Sequence, residues 1–505
     1  MMKKVLLLMS VVGMMVSCSQ DITDMNVDPK RPTTTKAEYL FTNAEKKLVD
    51  QMVSTSVNNN VFRLFAQQWT ETTYPDESQY NITNRKIPDT HFLVLYRDVL
   101  ADFHDSRVMI AATATATPAD EAIKQNKLAL IDILEAYAYS VLVDTFGNVP
   151  YTQAIDIQKY PLPAYDDAKT IYIDLIKRLN ADVAVLKTNS AAANFGAADI
   201  IYSGNAASNA KWMKFANSLI IRMAVNMSDI DPAYATTQVQ AALASGALAS
   251  NADNTKLTYL TTSGNQNPLY ADLVTSQRFD FIPAEPFVSA MDAVVPGGDP
   301  RMPKYFTNLT SPAPVIPAGR TFVGGTYGAG NVYTTYSQIT STLNNPAFPG
   351  NIFDFAELNF LLAEAAEKSL IPGGSAQAKV YYDAGIRASM ADWGVTNTAA
   401  IDAYIASPKV DYNNPLSGAT YKEKIGNQAW FALYNRGYEA WTSYRRLDFP
   451  VLKAPQAAIN KLIFTVPVRY TYPGVEASIN KANYTKAAAD IGGDLLNTKL
   501  FWDKF

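Results

Sequence analysis

Cysteine and histidine are nearly absent from this chain. Its 505 residues include one cysteine, Cys18, and two histidines, His91 and His104. One cysteine cannot close a disulfide within the chain or supply the several thiolates of a structural zinc site. A Ser-His-Asp triad would have to draw on one of the two histidines. Both fall in one helical stretch, HFLVLYRDVLADFHDSR, thirteen residues apart, and read as packing or helix-surface residues. That separation is not the i, i+4 spacing of a helical zinc pair, and no HExxH occurs. A basic excess is missing too: a net charge of −4 and a pI near 5.5 exclude the electrostatic footprint of a nucleic-acid binder. Beyond the N-terminus no run is apolar and long enough to cross a bilayer.

What is present begins at that N-terminus. Lys3 and Lys4 precede an apolar run from Val5 to Val16, and Ser17 leads into Cys18. The run is too short to span the roughly 30 Å hydrocarbon core of a membrane and reads as a signal peptide over residues 1–17. The cysteine at the cleavage point resembles the lipobox of bacterial lipoproteins, with Met15 in place of the usual leucine. That resemblance implies acylation of Cys18 (palmitate and related chains) and stable attachment, because several acyl chains hold where one does not. Acylation would also remove the last free thiol as a nucleophile. Ser19, Gln20, Asp21 and Asp24 resemble a surface-export address. Residues 18–36, polar and proline-containing, read as the lipidated N-terminus and its tether.

By length alone, the chain could hold about three domains. Helix signals dominate it. Ile171, Leu175, Leu179, Val183 and Leu186 recur at three- and four-residue spacing, as do Trp212, Phe215, Leu219, Met223 and Met227. Asp166 or Asp167 can cap the first of these helices. Further helices are expected at 38–56, 125–146, 354–369, 376–393 and 420–445. Their lengths suit antiparallel pairs in a TPR-like stack, although no 34-residue repeat is visible. Residues 246–350 differ: Gly, Pro, Thr, Asn and Tyr cluster there without long periodic runs. Such a long aromatic-rich connection reads as an ordered irregular subdomain. The expected division is a helical scaffold at 37–245 and 351–505 with a loop-rich insert between.

Local motifs yield little chemistry. GGTYGAGN at 324–331 lacks the G-K-[ST] ending of a phosphate loop and reads as a tight turn. Glu364 and Glu367 share a helix face, where a solvated-face or capping role is the simpler reading. A glycosidase needs only two carboxylates roughly 5–10 Å apart, and no acid stands out in a setting that would raise its pKa. In FGNVPY, Gly147 and Asn148 can end a helix that Pro150 cannot restart. In RRLDFP, the arginine pair beside Asp448 suggests an ion pair at a helix end.

Several longer segments carry a family resemblance. SVLVDTFGNVPYTQA (140–154), DIIYSGNAASNAKWMKFANSLIIRMA (199–224), GDPRM (298–302), ELNFLLAEAA (357–366), EAWTSYRRLDFP (439–450), RYTYPGVEASINKANY (469–484) and GGDLLNTKLFWD (492–503) follow one another in the order found in the SusD/RagB family. Phe501 stands where that family commonly has tryptophan. The resemblance implies a mostly α fold, with TPR-like helix pairs supporting a variable loop-rich face. It implies a nutrient-binding lipoprotein of the outer membrane, facing outward over a SusC-like TonB-dependent transporter. Such a protein would capture an oligosaccharide, or in some members a peptide, for import. No reaction, cofactor or metal is implied.

The chain is rich in aromatics, with Tyr 29, Phe 22 and Trp 6. Aromatic rings cover the C–H faces of sugars, while Asn, Gln and Arg satisfy hydroxyls. Three loop segments combine these types: Trp69, Tyr74, Tyr80, Asn81 and Arg85; then Tyr327, Tyr333 and Tyr336; then Tyr270 with Gln277 and Arg278. Alanine at Trp69 or Tyr80 is expected to weaken ligand binding with little loss of stability. The competing readings are peptide capture on the same scaffold, a surface glycoside hydrolase, and a structural adaptor for the transporter.

Overall fold

A computed structural model describes residues 35–308 and 320–504; the signal peptide, Cys18 and most of the tether lie outside the described residues. Helices build the molecule. α1 is Ala37–Val53. α2 runs without a break through Ile87–Leu93, a π-helical turn at Val94–Leu100, and Ala101–Ala112. α3 (Pro118–Phe146), α4 (Ala168–Thr188), α5 (Asn209–Met227) and α6 (Pro232–Ser245) follow. After the irregular region and its one longer helix, α7 (Glu285–Ala293), come α8 (Phe355–Glu367), α9 (Gly374–Asp392), α10 (Thr398–Ile405), α11 (Tyr421–Ala432), α12 (Gly437–Leu447) and α13 (Lys481–Asp490). Successive helices pack as pairs, α3 on α4, α5 on α6 and α8 on α9, in the expected TPR-like manner. Among the described residues no helix is long and apolar enough to cross a membrane.

The helix ends follow local chemistry. Asp167 caps α4 by accepting from the Thr170 amide (2.8 Å). α3 starts earlier than its apolar pattern suggests because Thr117 and Asp120 form a reciprocal capping box. It stops at Gly147, whose φ of +90° suits glycine. The two five-residue apolar stripes read in α4 and α5 are all buried, and the buried apolar side chains form one continuous core.

Three expectations are corrected. The helix read at 420–445 is two, α11 and α12. Asn435 turns the chain through a left-handed conformation, and Gly437 then lies so close to the Phe62–Phe65 turn that a Cβ would sit 2.3 Å from the Arg63 nitrogen. Arg445 and Arg446 do not pair with Asp448. Arg445 lies over the Trp441 ring, 3.5 Å from its centroid, and donates to the Asp144 carbonyl (2.6 Å). Arg446 pairs with Glu364 (2.8 Å). Glu364 is therefore no solvated-face residue: it is fully buried between Arg446 and Lys368. Of the histidines, His91 is a packing residue whose Nδ1 meets the Gln51 amide (2.8 Å), and burial lowers its pKa to about 3.

Most of the motif segments meet in buried polar contacts. Asp144 of the first accepts from the Trp502 indole of the last (2.8 Å), from Tyr438 (3.0 Å) and from Tyr172. Asp199 accepts from the Trp212 indole (2.8 Å). Arg222 forks onto Glu357 (2.6 and 2.9 Å), which also takes Arg436 (2.7 Å). Asp299 pairs with Arg301 (2.6 Å), and Arg469 with Asp494 (2.7 Å). Replacing Asp144 by Ala leaves three donors unsatisfied inside the core. The expected cost is about 3 kcal/mol or more at roughly 1–3 kcal/mol for each orphaned group, measured by urea unfolding; a loss under about 1 kcal/mol would show the site to be hydrated.

Candidate functional site

Three short antiparallel pairs stitch the irregular region to the helices. β1 (Trp69–Glu71) pairs with β5 (Phe281–Pro283), with Thr70 opposite Ile282. β2 (Val149–Pro150) pairs with β3 (Tyr165–Asp166), and β4 (Thr255–Leu257) with β6 (Gly350–Phe353). The β1–β5 pair brings the three loop segments read from the sequence to one place. Beyond β1, the Thr72 amide donates to Asp280 O (2.9 Å) and its hydroxyl to Phe279 O (2.8 Å). The 324–331 turn closes on the same strand through Asn331. Its amide donates to Thr72 O (2.7 Å), and its side chain binds Glu71 O (2.9 Å), Thr326 and Ala329. Gly324 permits this approach, since a Cβ there would lie 2.5 Å from the backbone of Glu285.

On this frame stands an aromatic pair. Phe279 and Tyr333 have ring centroids 4.8 Å apart at 38°. Phe279 is half exposed although its φ is +52°, a conformation that is an outlier for a bulky side chain. Gln277, two residues earlier, is also left-handed (φ +54°). Exposed Val332 and Arg278 flank the pair, Arg278 bridging to Asp280 (2.8 Å), and exposed Tyr74 projects from the adjoining loop. Strain of this kind persists only where surrounding structure imposes it, and it clusters at ligand-contacting positions.

The sequence candidates divide by burial. Trp69 is fully enclosed, its indole donating to Tyr434 (3.0 Å). Tyr80 packs on Phe65 and receives the Gln67 amide (3.2 Å). Tyr327 is buried with its hydroxyl on Leu64 O (2.7 Å). Trp69 and Tyr327 offer no open face to a ligand and Tyr80 borders only the cleft that Asn81 lines, so the effect expected of alanine at Trp69 moves from binding to folding. Tyr74 and Arg278 are exposed; Tyr270, Tyr333 and Tyr336 are half-buried. Arg85 is held by the buried Glu77 (2.5 Å). Asn81, also half-buried, lines a separate cleft of about 570 Å³ with Ile463, Phe464 and Leu496. Phe279 was not among the candidates. Its place next to Arg278 was the available signal, but its left-handed backbone and its contact with Tyr333 are tertiary facts.

Beneath the platform lies a carboxyl pair, Glu71 and Glu77. Both are buried, and Glu71 accepts from the Ser78 amide (2.9 Å) and hydroxyl (2.7 Å). Burial, with Glu77 alongside, raises Glu71 to about 9. Neither carboxyl meets solvent, so this pair presents no acid or base to a substrate. Among the described residues no group of three or more His, Cys, Asp and Glu side chains is arranged to hold a metal ion.

Comparison with known proteins places this geometry. A SusD-like family model described as starch-binding and associating with the outer membrane matches residues 29–473. A solved structure titled as a chitin-binding protein superposes with a TM-score of 0.79 at 23% identity, over 93% of this chain and 100% of that one. A SusD homologue from Bacteroides uniformis gives 0.75 at 24% identity, over 92% and 100%. One from Bacteroides thetaiotaomicron gives 0.72 at 23%, over 92% and 98%. A search of curated proteins finds no match.

Two outcomes follow. Trp69→Ala should cost about 3–5 kcal/mol of unfolding free energy, read by urea titration; a near-neutral result would contradict its core placement. Glu71 keeps its proton longer in the fold than in the unfolded chain. Its stabilisation is therefore complete below about 4.5 and is lost as pH rises towards about 9, at up to about 1.4 kcal/mol per pH unit. The melting temperature should fall over that window, and Glu71→Gln should flatten the fall; an unchanged slope in the variant would assign it elsewhere.

Proposed function

The chain belongs to the SusD-like family of starch-binding proteins associated with the outer membrane, and from that premise we propose that it binds a nutrient oligosaccharide on the loop face that carries Phe279 and Tyr333. The aromatic pair, Phe279 exposed on a left-handed backbone beside half-buried Tyr333, carries this reading. Two rings inclined to one another cover the apolar faces of a bent sugar chain, and Arg278, Gln277 and Tyr74 stand where hydroxyls need partners. Tyr336 follows on the same loop as Tyr333. The chitin-binding title of one structural neighbour supports a carbohydrate ligand.

In this reading the protein captures ligand without transforming it. Acylation at Cys18 anchors it to the outer membrane, the tether over 19–36 gives it reach, and the folded part faces the exterior. A SusC-like TonB-dependent transporter receives the bound glycan. The helical scaffold at 37–245 and 351–505 holds its shape while the insert at 246–350 adapts to the ligand.

Isothermal calorimetry of the mature protein against starch-derived, chitin-derived, host and plant oligosaccharides, with mixed peptides alongside, tests the proposal. Heat with one glycan class is expected. Phe279→Ala and Tyr333→Ala should each weaken that binding about tenfold, the loss of roughly one stacking contact. Unfolding free energy should shift by no more than about 0.5 kcal/mol for the exposed Phe279. Heat with peptides alone would move the protein to peptide capture, and glycan binding indifferent to both substitutions would displace the site.

A further inference from the structure

A second ligand-sized feature lies on the helical scaffold, and no residue of the Phe279 platform lines it. A pocket of about 260 Å³ opens among Leu100, His104, Arg107, Tyr139, Tyr151 and Ile155. Leu100, His104 and Arg107 are spaced i, i+4, i+7 along α2, so one face supplies all three. They stand where the π-helical turn gives way to α-helix, and π turns recur at functional sites. Tyr139 comes from α3, and the 151–155 loop forms the rim. Within that loop Ile155 has a φ of +70°, an outlier for a β-branched residue.

The charges under the pocket are internally matched. Arg107 and Arg178 share Asp132 (2.5 and 2.6 Å) and Glu135 (2.6 and 2.8 Å). Arg178 donates to the Tyr151 hydroxyl (2.7 Å), which donates to Asp174 (2.5 Å). Asp182 next to Asp132 is buried and raised to about 10, so it stays protonated. An anion entering would meet Glu135, and a cation would meet both guanidinium groups. A neutral ligand avoids both penalties.

Polar groups nonetheless remain unpaired. The Tyr139 hydroxyl, on a side chain more than nine-tenths buried, has no hydrogen-bond partner among the described residues; neither do the His104 ring nitrogens or Arg107 Nη1. A phenol hydroxyl and an imidazole ring offer both donors and acceptors, which is the pattern of a hydroxyl-bearing partner. Leu100, Ile155 and the Tyr139 and Tyr151 rings, 4.8 Å apart and edge to face, supply an apolar wall. The Tyr139 hydroxyl opens to the pocket's solvent, where a ligand hydroxyl can replace water as its partner.

We infer that this pocket binds one neutral polyhydroxylated ring, a monosaccharide unit, held by Tyr139, His104 and Arg107 against the Tyr151 ring. The inference uses the pocket's own chemistry and stands whether or not the Phe279 platform binds glycan. The unit could arrive as a free sugar or as the end of a longer chain.

Saturation-transfer NMR and calorimetry on the full mature protein provide the test, with glucose, galactose and N-acetylglucosamine as probes and glycerol as the acyclic control. At least one ring sugar is expected to bind in preference to glycerol. Tyr139→Phe, which removes only the hydroxyl, and His104→Ala should each weaken that binding about tenfold. Competition by maltotriose that depends on Tyr139 assigns the pocket to a glycan end; binding of the monosaccharide without such competition assigns it to free sugar. Absence of binding by all three sugars, or binding unchanged in both Tyr139→Phe and His104→Ala, overturns the proposal.

Discussion

The carboxylate of Asp144 sits in the core with no cation bonded to it among the described residues, and the arrangement around it follows from the cost of burying it. Burial raises its pKa, while the Tyr172 donor, the nearby Arg445 charge and the Trp502 and Tyr438 donors offset that by favouring the charged form. Those three donors come from α4, from the C-terminal segment and from α12, and Arg445 binds the backbone carbonyl of the same residue. A buried polar group must be met by partners or it destabilises the fold. Four distant pieces of chain are therefore held in one register. The same rule governs Arg222 and Arg436 around Glu357, Arg301 on Asp299, and Arg469 on Asp494. Removing one member of such a pair leaves a bare buried charge, so the residues hold each other in place. The family motifs are largely the visible trace of this network.

That division of labour separates framework from recognition. The charged and indole-bearing motif residues Asp144, Asp199, Trp212, Arg222, Asp299, Arg301, Glu357, Arg469 and Trp502 are buried and bonded within the framework. The exposed aromatics of the loop face belong to none of the motifs. Phe279, Tyr333, Val332 and Tyr74 stand on loops whose positions derive from β1, β5 and the Asn331 clamp. The scaffold can thus stay constant while the face changes, because few hydrogen bonds of the network reach the exposed rings. The left-handed backbone at Gln277 and Phe279 shows that the frame imposes a conformation the residues would not choose alone.

The polar pocket beside α2 fits the same logic from the other side. Its floor is a framework network, two arginines shared by two carboxylates. Its wall, however, keeps a phenol and an imidazole without partners. Both groups face the pocket, where a ligand hydroxyl can meet them.

Much of the fold was legible along the chain. The apolar stripes of α4 and α5, the Asp167 cap and the Gly147 stop depend on neighbours a few residues away, and periodicity reports such neighbours faithfully. The lack of long periodic runs at 246–350 likewise announced irregular structure, and the motif order announced the family. The break at Asn435 was not legible, because it answers to the close approach of Gly437 and Arg63, hundreds of residues apart. Nor were the partners of Arg445, Arg446 and Glu364, since a charge in sequence does not reveal which opposite charge will share its burial. For the candidate site, the sequence named the right loops and residue types. Which rings face solvent was decided by tertiary packing: Trp69, Tyr80 and Tyr327 turn inward to fill the core, and Phe279 is turned out by a backbone conformation that only its surroundings enforce.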